Sequence, residues 1–446
     1  MRKLSLVFFV ALLLAVGGQA IAVDLGDAIA AAEKTDPTLA SAQANRDAAF
    51  ENIAIAKAKL LPQTGFQGTF QKMQEGVKYE SATAATSSSY MVNSYNNQFS
   101  LRQGLYHPRD WAGYDIGQLQ SEYGSQKLAS ARSDLWQRIT NAWLDVLVAV
   151  ESRRIYEDTV KVTHYADDQA EKRFQAGDGT RDMVIEARAQ YELAKSQLVE
   201  AEINERSREQ AFRMLTGLDA ADLRSGHLPD YKTVHIPLSN KDELQRVVEA
   251  SNPEIRAAEA ANQINKKRVE QAHADRLPTV DLVASKSWAQ SDNVTTINQR
   301  YNVLGGGVQI SIPLYDGGGL SATQRQTEAT ARGSAEDLRA LQLKLATQVE
   351  SDWATTEASL ERARSAEVLW VAAKEQRRAA ELGITSHVRT WGDVAQAEIL
   401  IARRASDYIN YAAGVLRAQA RLLSTLPVTE NIWEPWVAQI SVLAKP

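Results

Sequence analysis

The chain has 446 residues, 44% of them hydrophobic and 24% charged, with a formal net charge of -5 and no cysteine. The missing cysteine excludes a disulfide framework, thiolate metal sites and a lipid-modified N-terminal cysteine, and the acidic balance speaks against nucleic acid as a partner. A mean hydropathy of -0.33 speaks against a bundle of membrane-spanning helices but leaves open a membrane β-barrel, whose alternating strands escape hydropathy.

Arg2 and Lys3 precede an apolar run from Leu4 to Val16, and small residues lead to Ala20-Ile21-Ala22. This is the pattern of an export signal over residues 1–22; the run falls short of the roughly 20 apolar residues that a spanning helix needs. Cleavage after Ala22 removes Arg2 and Lys3 and takes the formal charge from -5 to -7. Absence of cysteine suits a disulfide-forming compartment.

Beyond the signal the sequence is written twice. Asp24-Leu25 opens a helical run and Asp36-Pro37 a second one, ending at Leu61-Pro62. In the second copy Asp242 to Leu244 opens a helix, Asn252-Pro253 the next, and Leu277-Pro278 ends it. Asp or Asn before Pro is an N-cap with proline at the first helical position. The spacing from opening to closing proline is 25 residues in both copies.

After each Leu-Pro the apolar period changes to two. Phe66, Gly68 and Phe70, then Phe99, Leu101 and Leu105, alternate with polar residues in copy one. Val280, Leu282, Ala284 and Trp288, then Leu304, Val308, Ile310 and Ile312, do so in copy two. Runs of about ten residues with this period are strands. The polar stretches Ser81 to Ser89 and Ser291 to Asn298 are predicted to be exposed loops between them. Trp288 and Tyr301 are candidates for an aromatic belt at a membrane surface. Gly104-Leu105-Tyr106-His107-Pro108 and Ile312-Pro313-Leu314-Tyr315-Asp316-Gly317 close the strand pairs.

Two proline-free helices follow, Tyr114 to Gln175 and Ser321 to Leu382. Trp136, Trp143 and Val150 repeat every seven residues, as do Ile139 and Val146, which is coiled-coil packing. Such a helix is a rod of roughly 90 Å. A third helix completes each copy, Asp182 to Leu215 and Asp393 to Leu423, and the two shorter helices, stacked end to end, match the long one in length. The predicted organisation is a signal at 1–22, a first repeat at 23–217, a linker at 218–240, a second repeat at 241–426 and a tail at 427–446 carrying Trp433 and Trp436. The fold class is α+β with mostly long α-helices.

Four strands do not close a barrel. Two chains would supply eight, and an eight-stranded barrel is filled by its own side chains. Three chains supply twelve, with a lumen.

No enzyme chemistry is visible. The histidines at 107, 164, 227, 235, 273 and 387 form no pair at ligand spacing. Gly305-Gly306-Gly307 and Gly317-Gly318-Gly319 lack the Lys-Ser/Thr of a phosphate loop and are read as close packing and tight turning. No cofactor or metal is expected, and the heptad tryptophans are read as core.

The duplicated order, the Asp36-Pro37 and Asn252-Pro253 caps, the paired Leu-Pro entries, Ser311-Ile312-Pro313-Leu314-Tyr315-Asp316-Gly317-Gly318 and Arg173-Phe174-Gln175-Ala176-Gly177 together resemble the TolC family, with a flavour of its type I secretion members. The match covers essentially all of the mature chain. The resemblance implies a homotrimer in the outer membrane, with a twelve-stranded transmembrane β-barrel, an α-helical barrel as a periplasmic tunnel, and an equatorial belt from the linker and tail. It implies an exit duct passing polypeptides, with a periplasmic adaptor (membrane fusion) protein and an inner-membrane ABC transporter or other efflux pump as partners. Alternatives are a duct for drug efflux and, as the reading without a pore, a periplasmic coiled-coil adaptor.

The family gates its periplasmic end at the helix-helix turns, here Arg173 to Tyr191 and Val388 to Gln396. The resemblance places Asp182 and Arg389 as a gate pair and Asp393 as an entrance carboxylate. Gln396 stands where the family has a second aspartate, and four extra residues follow Gly383. The other reading of Asp182 and Asp393 is that of ordinary acids at helix N-termini, where the dipole favours them.

Overall fold

The computed structural model describes residues 24–81, 84–236, 240–291, 299–428 and 432–443. The predicted export signal lies outside them, as do residues 292–298 of the second polar stretch and Pro237 of the linker.

Each copy has the same order. The first is α1 (Leu25–Thr35), α2 (Pro37–Ala58), β1 (Gln63–Ser81), β2 (Ala84–Tyr106), α3 (Pro108–Gln175) and α4 (Arg181–Thr216). The second is α5 (Lys241–Ser251), α6 (Pro253–Ala274), β3 (Thr279–Ser291), β4 (Gln299–Ser311), α7 (Gly319–Thr385) and α8 (Trp391–Ser424), followed by α9 (Trp433–Leu443). The matched helices have 11 and 11, 22 and 22, 68 and 67, and 36 and 34 residues. The caps explain the matched starts. Asp24 accepts from the Asp27 N–H at 2.7 Å, and Asn252 accepts from the Ile255 N–H at 3.0 Å with Pro253 behind it.

The strands correct the expected lengths. β1 and β2 have 19 and 23 residues, and β3 and β4 have 13 each. Ala84 to Ser89, expected in a loop, belongs to β2, and Ile312 lies beyond β4. Apolar alternation marks a strand only where one face is apolar. Past Phe70 the apolar positions switch to the other face, at Met73, Val77 and Tyr79, so the pattern breaks while the pairing continues. Similarly α3 begins at Pro108, six residues before its first expected residue, because proline is well placed in a first helical turn.

The chain divides into two compact units. One comprises Thr38–Ala131 and Gln245–Gln348. Its sheet is antiparallel, in the order β1-β2-β3-β4, so β1 and β4 are open edges. A bulge between Gly104 and Tyr106 bends β2 against β3. In the same unit α2 and α3 approach closely at two glycines one heptad apart. A Cβ on Gly117 would come within 2.8 Å of the Asn52 carbonyl oxygen, and one on Gly124 within 2.6 Å of the Ala49 Cβ. Lys267 on α6 reaches Asp115 on α3 at 3.1 Å.

The other unit comprises the described residues of Met1–Pro37, Arg132–Leu244 and Val349–Pro446. Here the heptad residues Trp136, Ile139, Trp143, Val146 and Val150 are all buried. The tail folds back as α9 and seats Trp433 and Trp436 among them. Trp433 stands edge-on to Trp136 at 5.5 Å. Its indole N–H donates to the Leu423 carbonyl at 3.0 Å, and that of Trp436 donates to Gln419 Oε1 at 3.0 Å, so both indoles are buried with their polar tips satisfied. The linker is fastened by Arg224, which binds Glu209 through Nε and Nη2. Glu205 and Glu209 are buried carboxylates on α4, and the two hydrogen bonds and charge of Glu209 raise the Arg224 pKa, against a smaller lowering by burial.

Candidate functional site

The sheet has two faces of opposite chemistry, fixed by register. Phe66 pairs with Phe99, Phe70 with Tyr95, Leu101 with Ala284, Lys286 with Leu304, Leu282 with Val308 and Val280 with Ile310. Paired residues share a face, so these form one apolar surface. It runs from Val280 to Gln290, about 33 Å along the strand, or about 25 Å of height at a barrel tilt near 40°. The residues between them, among them Gln67, Thr69, Asn96, Ser100, Ser285 and Ser287, form the other face with Gly305 and Gly307. Within one chain most of both faces is uncovered, with Val92 and Asp281 buried on the polar one. All of β4 is exposed, with Leu304 at 79% and Ile310 at 63%.

Aromatic rings bracket the apolar face. Phe99 lies 4.8 Å from Phe66 and 5.8 Å from Trp288 by ring centroids. Tyr106, at the other end of β2, meets Trp111 edge-on at 5.5 Å. Register puts Trp288 on the apolar face with them. Tyr301 does not accompany it: it pairs with Ala289, one residue out of phase, and faces the polar side. Sequence proximity suggested a common belt, but a period of two separates them.

At the helix end of the polar face Arg102 binds Asp281 with two hydrogen bonds, at 3.0 and 2.8 Å. His107 bridges Asp281 and Asp110, at 3.0 and 3.1 Å. Asp281 is 2% exposed. A Cβ on Gly104 would come within 3.1 Å of the His107 ring, so the bulge and the cluster need glycine there.

The second candidate region lies in the helical unit, at the turns joining α3 to α4 and α7 to α8. The two turns have one construction. Each has five residues, 176–180 and 386–390, between its helices. Asp178 N–H bonds the Arg173 carbonyl at 2.9 Å, and Val388 N–H bonds that of Gly383 at 3.1 Å. Gly177 N–H bonds Phe174 at 3.0 Å and His387 N–H bonds Ile384 at 3.1 Å. These are Schellman caps. Thr180 and Thr390 are the N-caps that follow.

In this frame Arg389 corresponds to Gly179, Asp182 to Gly392, and Asp393 to Met183, so each charged position faces an uncharged one in the other copy. Arg389 pairs with Asp393 at 3.4 Å. The expected Arg389–Asp182 pair is not made within the chain. Asp393 also accepts from the Thr390 N–H at 2.7 Å while its own N–H bonds Thr390 Oγ1 at 3.1 Å, a complete capping box. Asp393 is thus engaged in ending one turn and starting a helix. Asp182 is exposed at the second position of α4. Gln396 is exposed and shares a groove with Arg389 and Asp393, walled by Gln376, Gly383 and Arg403.

Two residues here escaped the sequence reading. Trp391 packs against Ala170, Val184 and Ala187 of one hairpin and against Ala380, Ile384 and Val394 of the other, with Tyr165 edge-on at 5.4 Å. It joins the two turns. Its signal was present as a large aromatic at the first position of a helix. His387 holds φ of +57°, alone among the described non-glycine residues in the left-handed region, and nothing in its side chain announces that. Above the turns, Arg377 donates to the buried Glu398 at 2.8 Å and ties α7 to α8; that bond raises the Arg377 pKa, against an opposing effect of burial.

No group of three or more metal-ligating side chains is found among the described residues, and no described helix is long and apolar enough to cross a membrane. The sequence profile of the family described as outer membrane efflux protein matches residues 28–218 and 244–426. The chain is 28% identical over 350 residues to the proteases secretion protein PrtF of Dickeya chrysanthemi, covering 76% of this chain and 73% of that one. It is 26% identical over 440 residues to the alkaline protease secretion protein AprF of Pseudomonas aeruginosa, covering 95% and 88%. The outer membrane protein VceC of Vibrio cholerae has a similar fold, with a TM-score of 0.73 at 18% identity over 90% of this chain and 95% of that one.

Proposed function

We propose, because this chain belongs to the outer membrane efflux protein family, that three copies of it form an exit duct through which polypeptides leave the cell by type I secretion. The chain is an outer-membrane channel protein of that family, with helices that build a periplasmic tunnel. One observation carries the duct reading: a four-stranded sheet with two open edges, one apolar face and one polar face, and a core on neither. Closure of β4 on β1 of the next copy removes the edges. Twelve strands put the apolar face against lipid and leave an aqueous lumen lined mainly by polar residues and glycine, with Met73, Val303 and Tyr301 among them. A coiled-coil adaptor has no use for such an outward face.

Polypeptide cargo is supported by the likeness to PrtF and AprF, both named for protease secretion. The partners on this reading are a periplasmic adaptor protein and an inner-membrane ABC transporter. Small-molecule efflux is the second reading, supported by the family's description. The turns of α3–α4 and α7–α8 are assigned to the periplasmic entrance, with Arg389, Asp182, Asp393 and Gln396 as its gate residues. The repeats at 23–217 and 241–426 are the duplicated units of the duct, with the linker 218–240 and tail 427–446 at its waist.

The test is conductance in planar bilayers with the purified protein, together with cross-linking. A detergent-dependent trimer that conducts supports the duct; a water-soluble monomer without conductance overturns it. Cargo is then decided in a strain lacking its own duct. Restored secretion of a protease through a type I transporter and adaptor supports polypeptide passage, and restored drug resistance alone favours efflux.

A further inference from the structure

We propose that Arg102, Asp281, His107 and Asp110 form a proton-operated clasp between the sheet and the long helix α3, closed when both ring nitrogens of His107 carry a proton and open when only one does. The clasp itself is independent of the duct reading; its place in a duct rests on that reading, which puts it at the floor of the barrel, where strands give way to tunnel helices. All four residues belong to one compact unit of one chain. Arg102 lies on β2, Asp281 on β3, Asp110 in the first turn of α3, and His107 at the joint between β2 and α3.

The geometry sets the proton count. His107 Nε2 lies 3.0 Å from Asp281 Oδ1, and Nδ1 lies 3.1 Å from Asp110 Oδ2. A neutral imidazole has one N–H and one bare lone pair, an imidazolium has two N–H donors, and a carboxylate only accepts. With one ring proton, one of the two contacts sets a lone pair against an oxygen and is given up. With two, both are hydrogen bonds between charged groups, the stronger kind. Either loss opens the link between β3 and α3, because that link passes through both ring nitrogens. Histidine is the side chain whose ordinary titration falls between about pH 5 and 8. The link therefore responds to pH, where Arg or Lys in its place would hold throughout.

The surroundings leave the ring proton as the free variable. From β2, Arg102 binds both oxygens of Asp281, so this buried carboxylate keeps a counter-charge whatever His107 does. From α3, Arg109 is engaged with Asp275, past the end of α6, at 2.9 Å, and Asp115 is matched by Lys267 of α6 at 3.1 Å. Among the described residues the Asp110 carboxylate is hydrogen-bonded by His107 alone. The His107 and Asp110 side chains are 19% and 20% exposed, so protons reach them from solvent. The second copy lacks the device. Its joint has Asp316 in the place of His107, and Asp316 accepts from the N–H groups of Gly318 and Leu320 within its own turn. Each chain thus carries one clasp, at the joint that precedes α3.

The experiment is hydrogen exchange of the purified protein at about pH 5 and about pH 8, on either side of the ordinary histidine titration. It is read as protection factors for the Asp110 and Trp111 amides, which donate to the His107 carbonyl at 2.9 and 3.2 Å. Wild type should lose about tenfold in protection from the acid to the alkaline condition, the effect of one hydrogen bond to a charged group, while the β3–β4 amides keep theirs. His107→Gln should show the low value at both. Asp110→Asn should show the high value at both, since its amide N–H donates to the bare ring nitrogen and the second ring proton is no longer needed. Equal wild-type protection in the two conditions, a Gln variant as protected as wild type in acid, or a pH response that survives in Asp110→Asn overturns the clasp and leaves the duct standing. A chain that neither trimerises nor conducts overturns the duct, and the exchange result still decides the clasp, because its residues lie within one chain.

Discussion

Gly177 and His387 hold the same left-handed place in two turns of one design, with φ of +80° and +57°. The first costs little, since glycine has no Cβ to oppose the following carbonyl. The second costs about 1–2 kcal/mol. His387→Gly relieves that strain and gives back part of the gain through a freer unfolded chain, for a net stabilisation of about 0.5–1 kcal/mol. Gly177→Ala should destabilise by about 1 kcal/mol. Thermal melts followed by helical circular dichroism read both; the assignment fails if the two substitutions shift the melt in the same direction.

The same turns separate a gate from a cap. If Arg389 and Asp182 hold the entrance narrow, Arg389→Ala and Asp182→Ala each raise single-channel conductance. Both are surface groups whose contacts are worth about 0–1 kcal/mol, so trimer stability barely moves. Asp393→Ala breaks the capping box and costs about 1 kcal/mol of helix stability. Conductance that stays at the wild-type level in both the Arg389 and the Asp182 variant removes them from the gate.

The duplication was legible because prolines and caps are local chemistry: Asn252-Pro253 starts α6 whatever surrounds it. Helix ends came within a few residues for the same reason. Strand length was not legible, because past Phe70 the apolar positions of β1 change phase, to Met73, Val77 and Tyr79, while the pairing runs on unbroken. Site geometry was the least visible. The sequence assigns Asp182 to one turn and Arg389 and Asp393 to the other, but it does not show that Arg389 pairs with Asp393 inside its own turn. Trp391 was hidden among the tryptophans of the core, although it is the residue that packs on both hairpins.

Acid should weaken the helical unit through Glu33. Burial pushes its pKa up, but the hydrogen bonds from Arg132 and Trp136 and the charge of Arg132 outweigh burial and hold the carboxyl below the ordinary 4.5. A carboxyl depressed in the folded state adds stability that is complete above its unfolded pKa and is lost as pH falls through the folded one. Glu33→Gln keeps an acceptor for the Trp136 N–H, at 2.7 Å in the native chain, and removes the charge. Near neutral pH the variant should be about 1 kcal/mol less stable, a modest figure because the Arg132 side chain is 46% exposed and its charge is screened. As pH falls below 4.5 and through the lowered folded-state pKa of Glu33, the two melting curves should converge. A gap that is constant with pH would assign the loss to packing.

Gly306 and Gly307 are adjacent in β4 and face opposite ways, which makes them a direct test of which side of the sheet meets lipid. Gly306 pairs with Ala284, midway along the apolar face, and Gly307 pairs with Val283 on the polar one. Neither position is closed by packing. A Cβ on Gly306 would meet its nearest neighbour at 3.5 Å, an ordinary contact, and one on Gly307 would meet nothing within 4 Å. The cost of a lysine at each is therefore set by solvent. Gly306→Lys places a cation at mid-depth in hydrocarbon and should destabilise the barrel by about 2–4 kcal/mol. Gly307→Lys places it in the lumen, leaves the trimer intact and shifts the reversal potential toward anions, since each chain contributes one new charge to a wall that carries few others. If Gly307→Lys is the variant that loses the trimer, the faces are assigned the wrong way round.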